Sequence, residues 1–173
     1  EGLRNDFDAV YLAIGSWQAT PLNLEGEVAG SVRLGIEYLQ RVSSGIDLPL
    51  GERVVVVGGG NTAIDCARTA LRLGAKNVQL LYRRGRDEMP AEPYEVEEAL
   101  LEGVEMIFLA APTRIAEQGG AKQLHCIAMA LGEPDRSGRR RPVPVEGSEF
   151  TIACDTVIGA IGQVVEPIDD EAG

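Results

Sequence analysis

Histidine and cysteine are scarce in this chain of 173 residues, and their scarcity limits its chemistry. His125 is the only histidine, so a catalytic triad or a histidine-based metal site lacks the partners it needs. The three cysteines, Cys66, Cys126 and Cys154, are odd in number and form no C-x-x-C pair. That argues against a disulfide framework or a cysteine-rich metal site. Three partly buried free thiols in a reducing, cytoplasmic setting are expected instead. No apolar run approaches the ~20 residues of a membrane-spanning helix, and no segment reads as a signal peptide. Positive charge is also short: 16 Lys and Arg stand against 27 Asp and Glu, for a net charge of -11. Such a chain repels nucleic acid and anionic membranes, so neither is expected as a partner. It repels anionic cofactors too, and any phosphate site must make its own positive potential. The chain opens on Glu1-Gly2-Leu3-Arg4-Asn5-Asp6 rather than on Met, which fits a start inside a longer polypeptide.

Hydrophobic residues make up 45% and charged residues 25%, as in a globular protein with a core. Phe7 to Gly15 reads as a short buried strand that stops at a glycine, and 31–44 as a helix closed by Gly45. Arg53-Val54-Val55-Val56-Val57 is a β-branched run of the kind covered on both faces. Ala63, Ile64, Ala67, Ala70 and Leu71 recur at helical spacing over 61–73, with Gly74 in place for a C-terminal cap. A strand over 77–82, a helix over 91–101 with Pro93 in its first turn, and a strand over 104–109 come next. This β-α-β-α-β order predicts an α/β, Rossmann-like, three-layer domain around a central parallel sheet with right-handed crossovers. Residues 113–154 change character. Strands over 124–131 and 150–154 flank a polar loop over 132–142, and the stretch is expected to form an antiparallel β-meander laid on the parallel sheet. The whole of 1–173 is taken as one domain. Asp155 to Gly162 repeats the D-x-V-x-x-A-I-G pattern of Asp8 to Gly15. The repeat reflects either two similar buried strands or two strands ending at a common ligand or boundary.

Gly58-Gly59-Gly60-Asn61-Thr62-Ala63 lies between the valine strand and the next helix, which it opens. It satisfies G-x-G-x-x-A. Gly58 permits the tight turn, Gly60 lets a pyrophosphate reach the backbone, and Ala63 allows close helix–strand packing. Free amides and the helix dipole then hold the anion. NAD and FAD sites place a carboxylate at the end of the second strand, but this chain has Arg83-Arg84 there. A guanidinium pairs with a ribose 2′-phosphate in charge-assisted bonds, so NADPH is expected over NADH. The alternative is that the arginines are a solvated strand end.

These residues resemble the glutamate synthase small (beta) subunit-like family of NADPH-dependent FAD oxidoreductases. The resemblance rests on 54–70 (VVVVGGGNTAIDCARTA), on 81–91 (LYRRGRDEMPA) and on 95–105, and is weak over 113–150. It implies an NADPH domain inserted in a split FAD domain, with the flavin, an Fe–S or large catalytic subunit and the parent activity outside this chain. The FAD-type glycine motif, the later Gly-Asp segment and the Fe–S cysteines are all missing here. Carried over by position, Gly58, Gly59, Gly60, Asn61, Thr62 and Ala63 would hold the pyrophosphate, and Arg83 and Arg84 the 2′-phosphate. Ala160, Ile161 and Gly162 would line the cofactor or the domain junction. Asp65 falls where related enzymes have an acidic residue near the nicotinamide, and is equally a carboxylate favoured in a first helical turn. Ala91-Glu92-Pro93-Tyr94 replaces a more basic stretch, which leaves open a related oxidoreductase that serves another partner. The Arg139–Arg141 run is either an interaction patch or a solvated loop. Hydride transfer from NADPH to flavin is the implied function, and the isolated fragment is expected to be inactive. The rivals are a non-catalytic nucleotide-binding or partner-docking Rossmann module, a complete dehydrogenase whose Tyr-Lys pair, histidine or metal site is not visible, and a glycine turn that binds FAD itself, against which Arg83 and Arg84 argue.

Overall fold

The computed structural model describes residues 2–13, 15–118, 121–136 and 138–165. In chain order its elements are α1 (Gly2–Asp6), β1 (Gln18–Ala19), β2 (Val32–Leu34), α2 (Gly35–Ser43), β3 (Arg53–Val57), α3 (Asn61–Arg72) and β4 (Asn77–Tyr82). A single 3-10 turn (Arg86–Glu88) precedes α4 (Pro93–Glu102) and β5 (Glu105–Phe108). Then come β6 (Ala110–Gln118), β7 (Ala121–Pro134), β8 (Arg140–Cys154), β9 (Thr156–Gly159) and β10 (Gln163–Val164).

Five parallel strands form the central sheet in the order β2-β9-β3-β4-β5. Alternation along β3 divides the core. Val54 and Val56 pack with Ile64, Ala67, Ala70 and Val96 on the helical side. Val55 and Val57 pack with Leu124, Cys126 and Cys154 on the other side, beneath the antiparallel sheet β6-β7-β8. Helices, parallel sheet and meander thus make three layers. The four valines are buried, each stabilising the fold by about 1.5–3 kcal/mol relative to exposure. Gly103, with φ +101, caps α4 in the left-handed conformation, and its amide and that of Val104 close on Leu100 and Ala99 carbonyls.

Several expectations need correction. Residues 7–13 lie outside any strand and are exposed, Tyr11 at 91%. The two D-x-V-x-x-A-I-G copies therefore do not share a structure, for Val157 and Ile158 of the second are fully buried in β9. Ile14, and residues 166–173 at the end of the expected domain, lie outside the described residues. The segment 31–44 is not all helix: Val32–Leu34 pairs in parallel with Val157–Gly159 before α2 begins at Gly35. The meander starts at Ala110, and most of the expected 132–142 loop is strand, with Leu131 opposite Pro142 and Pro134 opposite Arg140. All three thiols are free and buried. Burial pushes Cys66 and Cys126 up to about 12 and Cys154 up to about 11.

Asp155 ties the start of β9 to the start of β3. Its carboxylate accepts bonds from Arg53 Nη2 at 2.7 Å, from the Arg53 amide at 2.8 Å and from the Glu52 amide at 3.0 Å. The Arg53 side chain, then the Arg53 amide, hold that carboxyl at about 2. The effect is to set the register of β9 against β3, and so to fix where the turns beyond the C-terminal ends of both strands meet.

Candidate functional site

At the carboxyl ends of β3 and β9 the sheet's strand order reverses, and the crevice beyond such ends is where parallel α/β sheets take ligands. The glycine turn stands there. The Gly58 amide donates to the Leu81 carbonyl at 3.0 Å, and the Ala160 amide donates to the Val57 carbonyl at 2.8 Å. The first bond ties the turn to β4, and the second seats the segment after β9 beside it. A Cβ at Gly58, where φ is +154, would run into the Ala160 carbonyl oxygen and come within 3.0 Å of Ala63 Cβ. A Cβ at Gly59 would enter the Tyr82 ring, 2.9 Å from Cζ. Both glycines are therefore required by the packing of the protein itself.

Gly60 is different. Its φ is -94 and ψ 176, which any residue adopts, and a Cβ there meets nothing within 4 Å. No protein atom requires a glycine at this position. Gly60 is the N-cap of α3, yet no side chain caps the helix and no acidic residue lies in its first turn. Among the described residues, the amides of Gly59, Gly60, Asn61 and Thr62 have no protein acceptor. The turn thus presents unpaired donors at the positive end of a helix dipole, beside open space.

The loop after β4 is pinned to this turn. Tyr82 Oη donates to the Glu88 carbonyl at 2.8 Å, the Ala91 amide to the Gly59 carbonyl at 3.1 Å, and the Glu92 amide to Asn61 Oδ1 at 2.9 Å. Sequence reasoning assigns no contact to Asp87-Glu88-Met89-Pro90. The tyrosine lying under Gly59 is the missing link, and only the fold brings the two together.

A cleft of about 700 Å³ runs over the turn. Gly58, Gly59, Gly60, Thr62, Ala160, Ile161 and Gly162 line it, with Arg83 and Arg84 towards the end of β4 and Ser16, Ala19 and Leu22 from the amino-terminal segment. Arg139, from the β7–β8 hairpin, lines it as well. In a chain with 27 carboxylate residues, none of the described residues lining the cleft is Asp or Glu. Three arginines are there instead, so the local charge opposes the net charge.

The two adjacent arginines differ. Arg83 is exposed, and its guanidinium makes no hydrogen bond or ion pair among the described residues. Arg84 is only 5% exposed. Its Nη2 donates to Asp135 Oδ2 at 2.6 Å, and its Nε donates to the Arg140 carbonyl at 2.8 Å. Ala63 is fully buried against β3, and Asn61 is engaged with the Glu92 amide. Asp65 sits outside the cleft lining, exposed on α3, where partial burial and then Glu95 raise its carboxyl, while Arg68 and Arg72 lower it. No group of three or more His, Cys, Asp or Glu side chains suited to a metal occurs among the described residues. His125 Nδ1 lies 3.3 Å from Thr151 Oγ1 on the meander. No helix among the described residues is long and apolar enough to cross a membrane.

Comparison with known proteins gives this geometry a family. The beta subunit of a NADPH-Fe(3+) oxidoreductase from Geobacter sulfurreducens is 52% identical over 168 residues, which are 94% of this chain and 25% of that protein. The beta subunit of a NADP(+)-dependent formate dehydrogenase from Moorella thermoacetica is 48% identical, over 95% of this chain and 24% of its own length. The glutamate synthase [NADPH] small chain of Escherichia coli is 41% identical, over 94% of this chain and 37% of its own. The chain therefore spans between about a quarter and two fifths of the length of these three relatives. In fold it is similar to FprA from Mycobacterium tuberculosis, solved in complex with NADPH, with a TM-score of 0.78, 19% identity, and coverage of 98% of this chain and 53% of that one. The model of the pyridine nucleotide-disulphide oxidoreductases matches residues 1–173, and with relatives at 41–52% identity the chain belongs to that family.

Proposed function

We propose that this chain is the NADPH-binding domain of an oxidoreductase similar to the glutamate synthase small chain, presenting the nucleotide to an FAD held elsewhere in the parent protein. The observation that carries the reading is Gly60. It is a glycine that the fold does not need, at a helix start whose amides lack acceptors, beside a cleft without carboxylates. A pyrophosphate fits all three features. It needs close backbone approach, takes hydrogen bonds from free amides, and is favoured by the helix dipole.

Residues 58–62 hold the diphosphate in this reading, with Ala63 giving α3 its close seat on β3. Arg83 supplies an uncommitted guanidinium for the 2′-phosphate of the adenosine ribose. Ala160, Ile161 and Gly162 line the cleft beside Gly58, with Ser16 and Ala19 in the same lining, and would form the wall along which the rest of the nucleotide lies. Asp65, facing Glu95, Arg68 and Arg72, is left out of the contact set. When bound, the nicotinamide would supply a hydride to the flavin held by the rest of the parent protein. The chain's own residues contribute position, exclusion of water and a local positive potential, and none acts as acid, base or nucleophile. The names of the relatives, NADPH-dependent subunits of larger assemblies, support a parent that passes electrons to a further subunit.

A binding titration of NADPH against NADH tests this on the full-length protein. Arg83→Ala should weaken NADPH by about 10- to 150-fold, the loss of one charge-assisted contact, and leave NADH unchanged. Equal affinities of the unaltered protein for the two nucleotides would refute the cofactor assignment.

A further inference from the structure

Position in the sequence makes Arg139 one of three arginines in a patch or a solvated loop, but the fold carries it to the cleft. It lies on the turn between β7 and β8, and lines the same cavity as Arg83 although 56 residues separate their positions in the sequence. The turn is tightly built. The Asp135 amide donates to the Arg139 carbonyl at 2.8 Å, and the Gly138 amide donates to the Asp135 carbonyl at 2.9 Å. Arg140 closes the far side, its Nη2 donating to the Leu131 carbonyl at 2.5 Å and its Nε to the Gly132 carbonyl at 3.2 Å.

What holds this turn against the parallel sheet is Arg84. Its guanidinium reaches from the end of β4 to both Asp135 and the Arg140 carbonyl, the residues on either side of the Arg139 position. The Arg84 side chain is buried, so removing its carboxylate partner would leave a desolvated charge. Arg84 therefore has two of its donors committed to the hairpin. Arg83 alone at the end of β4 has a guanidinium free to meet a phosphate.

We infer that Arg139 is a specificity residue which grips the ribose 2′-phosphate together with Arg83, and that Arg84 is a positioning residue which sets the hairpin so that Arg139 stands at the cleft. The inference rests on the NADPH reading and deepens it. A phosphate dianion is well held by two guanidiniums that approach from two sides, and Arg84, next to Arg83 in the turn after β4, is already directed to Asp135 and the Arg140 carbonyl. Here the second guanidinium comes from the antiparallel layer. The meander thereby becomes part of the nucleotide site rather than a cover for the sheet.

The test is a titration of the full-length protein with NADPH and with NADH, at fixed ionic strength, for Arg83→Ala, Arg139→Ala, Asp135→Ala and the Asp135→Ala/Arg139→Ala pair. Arg139→Ala should weaken NADPH by at least about tenfold and leave NADH unchanged. Asp135→Ala should reproduce that selective loss, and the double variant should add nothing to it, since both changes remove the same contact. Arg139→Lys, which keeps the charge without the fork, should recover part of the loss and guard against misfolding of the Asp135 variant. If Arg139→Ala binds NADPH like the unaltered protein while Arg83→Ala does not, the inference is overturned and the NADPH reading stands. If Asp135→Ala weakens both nucleotides alike, Arg84 is no positioning residue. If the unaltered protein does not prefer NADPH, both fall together.

Discussion

Replacing two glycines of one turn with alanine should separate folding from binding. At Gly58 the added methyl meets the Ala160 carbonyl group, with the carbonyl carbon at 2.9 Å, and Ala63 Cβ at 3.0 Å, on a backbone with φ +154. Overpacking against backbone costs roughly 1–3 kcal/mol and the unfavourable dihedral about 1–2 more. A total near 3 kcal/mol should lower the melting temperature by about 6–12 °C in a domain of this size. At Gly60 the methyl meets no protein atom, and the backbone is one that alanine adopts. A small gain from restricting the unfolded chain, about 0.4–1 kcal/mol, roughly offsets the poorer N-cap, and the melting temperature should stay within ~3 °C. In the proposed reading, however, the methyl stands where the diphosphate would lie. Losing one charge-assisted bond to an amide should weaken NADPH and NADH alike by about 10- to 150-fold. Thermal melts and nucleotide titrations of the two variants check this. A Gly60→Ala protein that melts normally and binds nucleotide normally would refute the reasoning, because the diphosphate would then not touch the corner.

Acid should expose the Arg53–Asp155 tie. The folded carboxyl sits near 2, below its ordinary value near 4, so its contribution is present above pH ~4 and lost as pH falls towards about 2. Asp155→Asn should cost about 1 kcal/mol at neutral pH and flatten that acid limb, as read by denaturant melts at pH 2–7. The thiols should be inert: with Cys66, Cys126 and Cys154 buried and pushed to between about 11 and 12, a thiol reagent at pH 8 should label none of them in the native protein. Labelling of Cys126 or Cys154 before unfolding would show that the meander opens. Tyr82→Phe removes the bond to the Glu88 carbonyl and should cost about 1 kcal/mol, with a smaller loss of nucleotide affinity as the loop over 85–92 loosens.

The glycine turn between β3 and α3 was legible because local rules agree there. A β-branched run, three glycines and a small-residue helix succeed one another within twenty residues, and each needs only its neighbours to explain it. Residues 7–15 misled for a physical reason. Phe7, Val10, Tyr11 and Leu12 are as apolar as a core strand, but periodicity does not say whether a buried partner exists, and here those side chains are exposed. Val32-Arg33-Leu34 is too short to announce a strand, and it becomes one because β9 arrives beside it. Pro134, Gly138 and Pro142 argued for a loop, yet antiparallel edges tolerate proline, and the ladder continues through Pro142 to the Pro134–Arg140 pair, leaving Gly138 in the turn. The different surroundings of Arg83 and Arg84 depend on Asp135, 51 residues beyond Arg84, a pairing that no local pattern encodes.

The position of β9 has a consequence for how the chain is made. Its neighbours β2 and β3 emerge from the ribosome about a hundred residues before it does, and they cannot pair with each other, since β9 belongs in the gap between them. Until Thr156–Gly159 is threaded into that slot, β3 has one bare edge, and Gly58 lacks the Ala160 carbonyl that shapes it. Insertion of a central strand after a long excursion closes a large loop, an entropically slow step. The glycine turn, encoded early, is therefore completed only when β9 arrives, and on the proposed reading a nascent chain halted before β9 is expected not to bind dinucleotide however much of its sheet has formed.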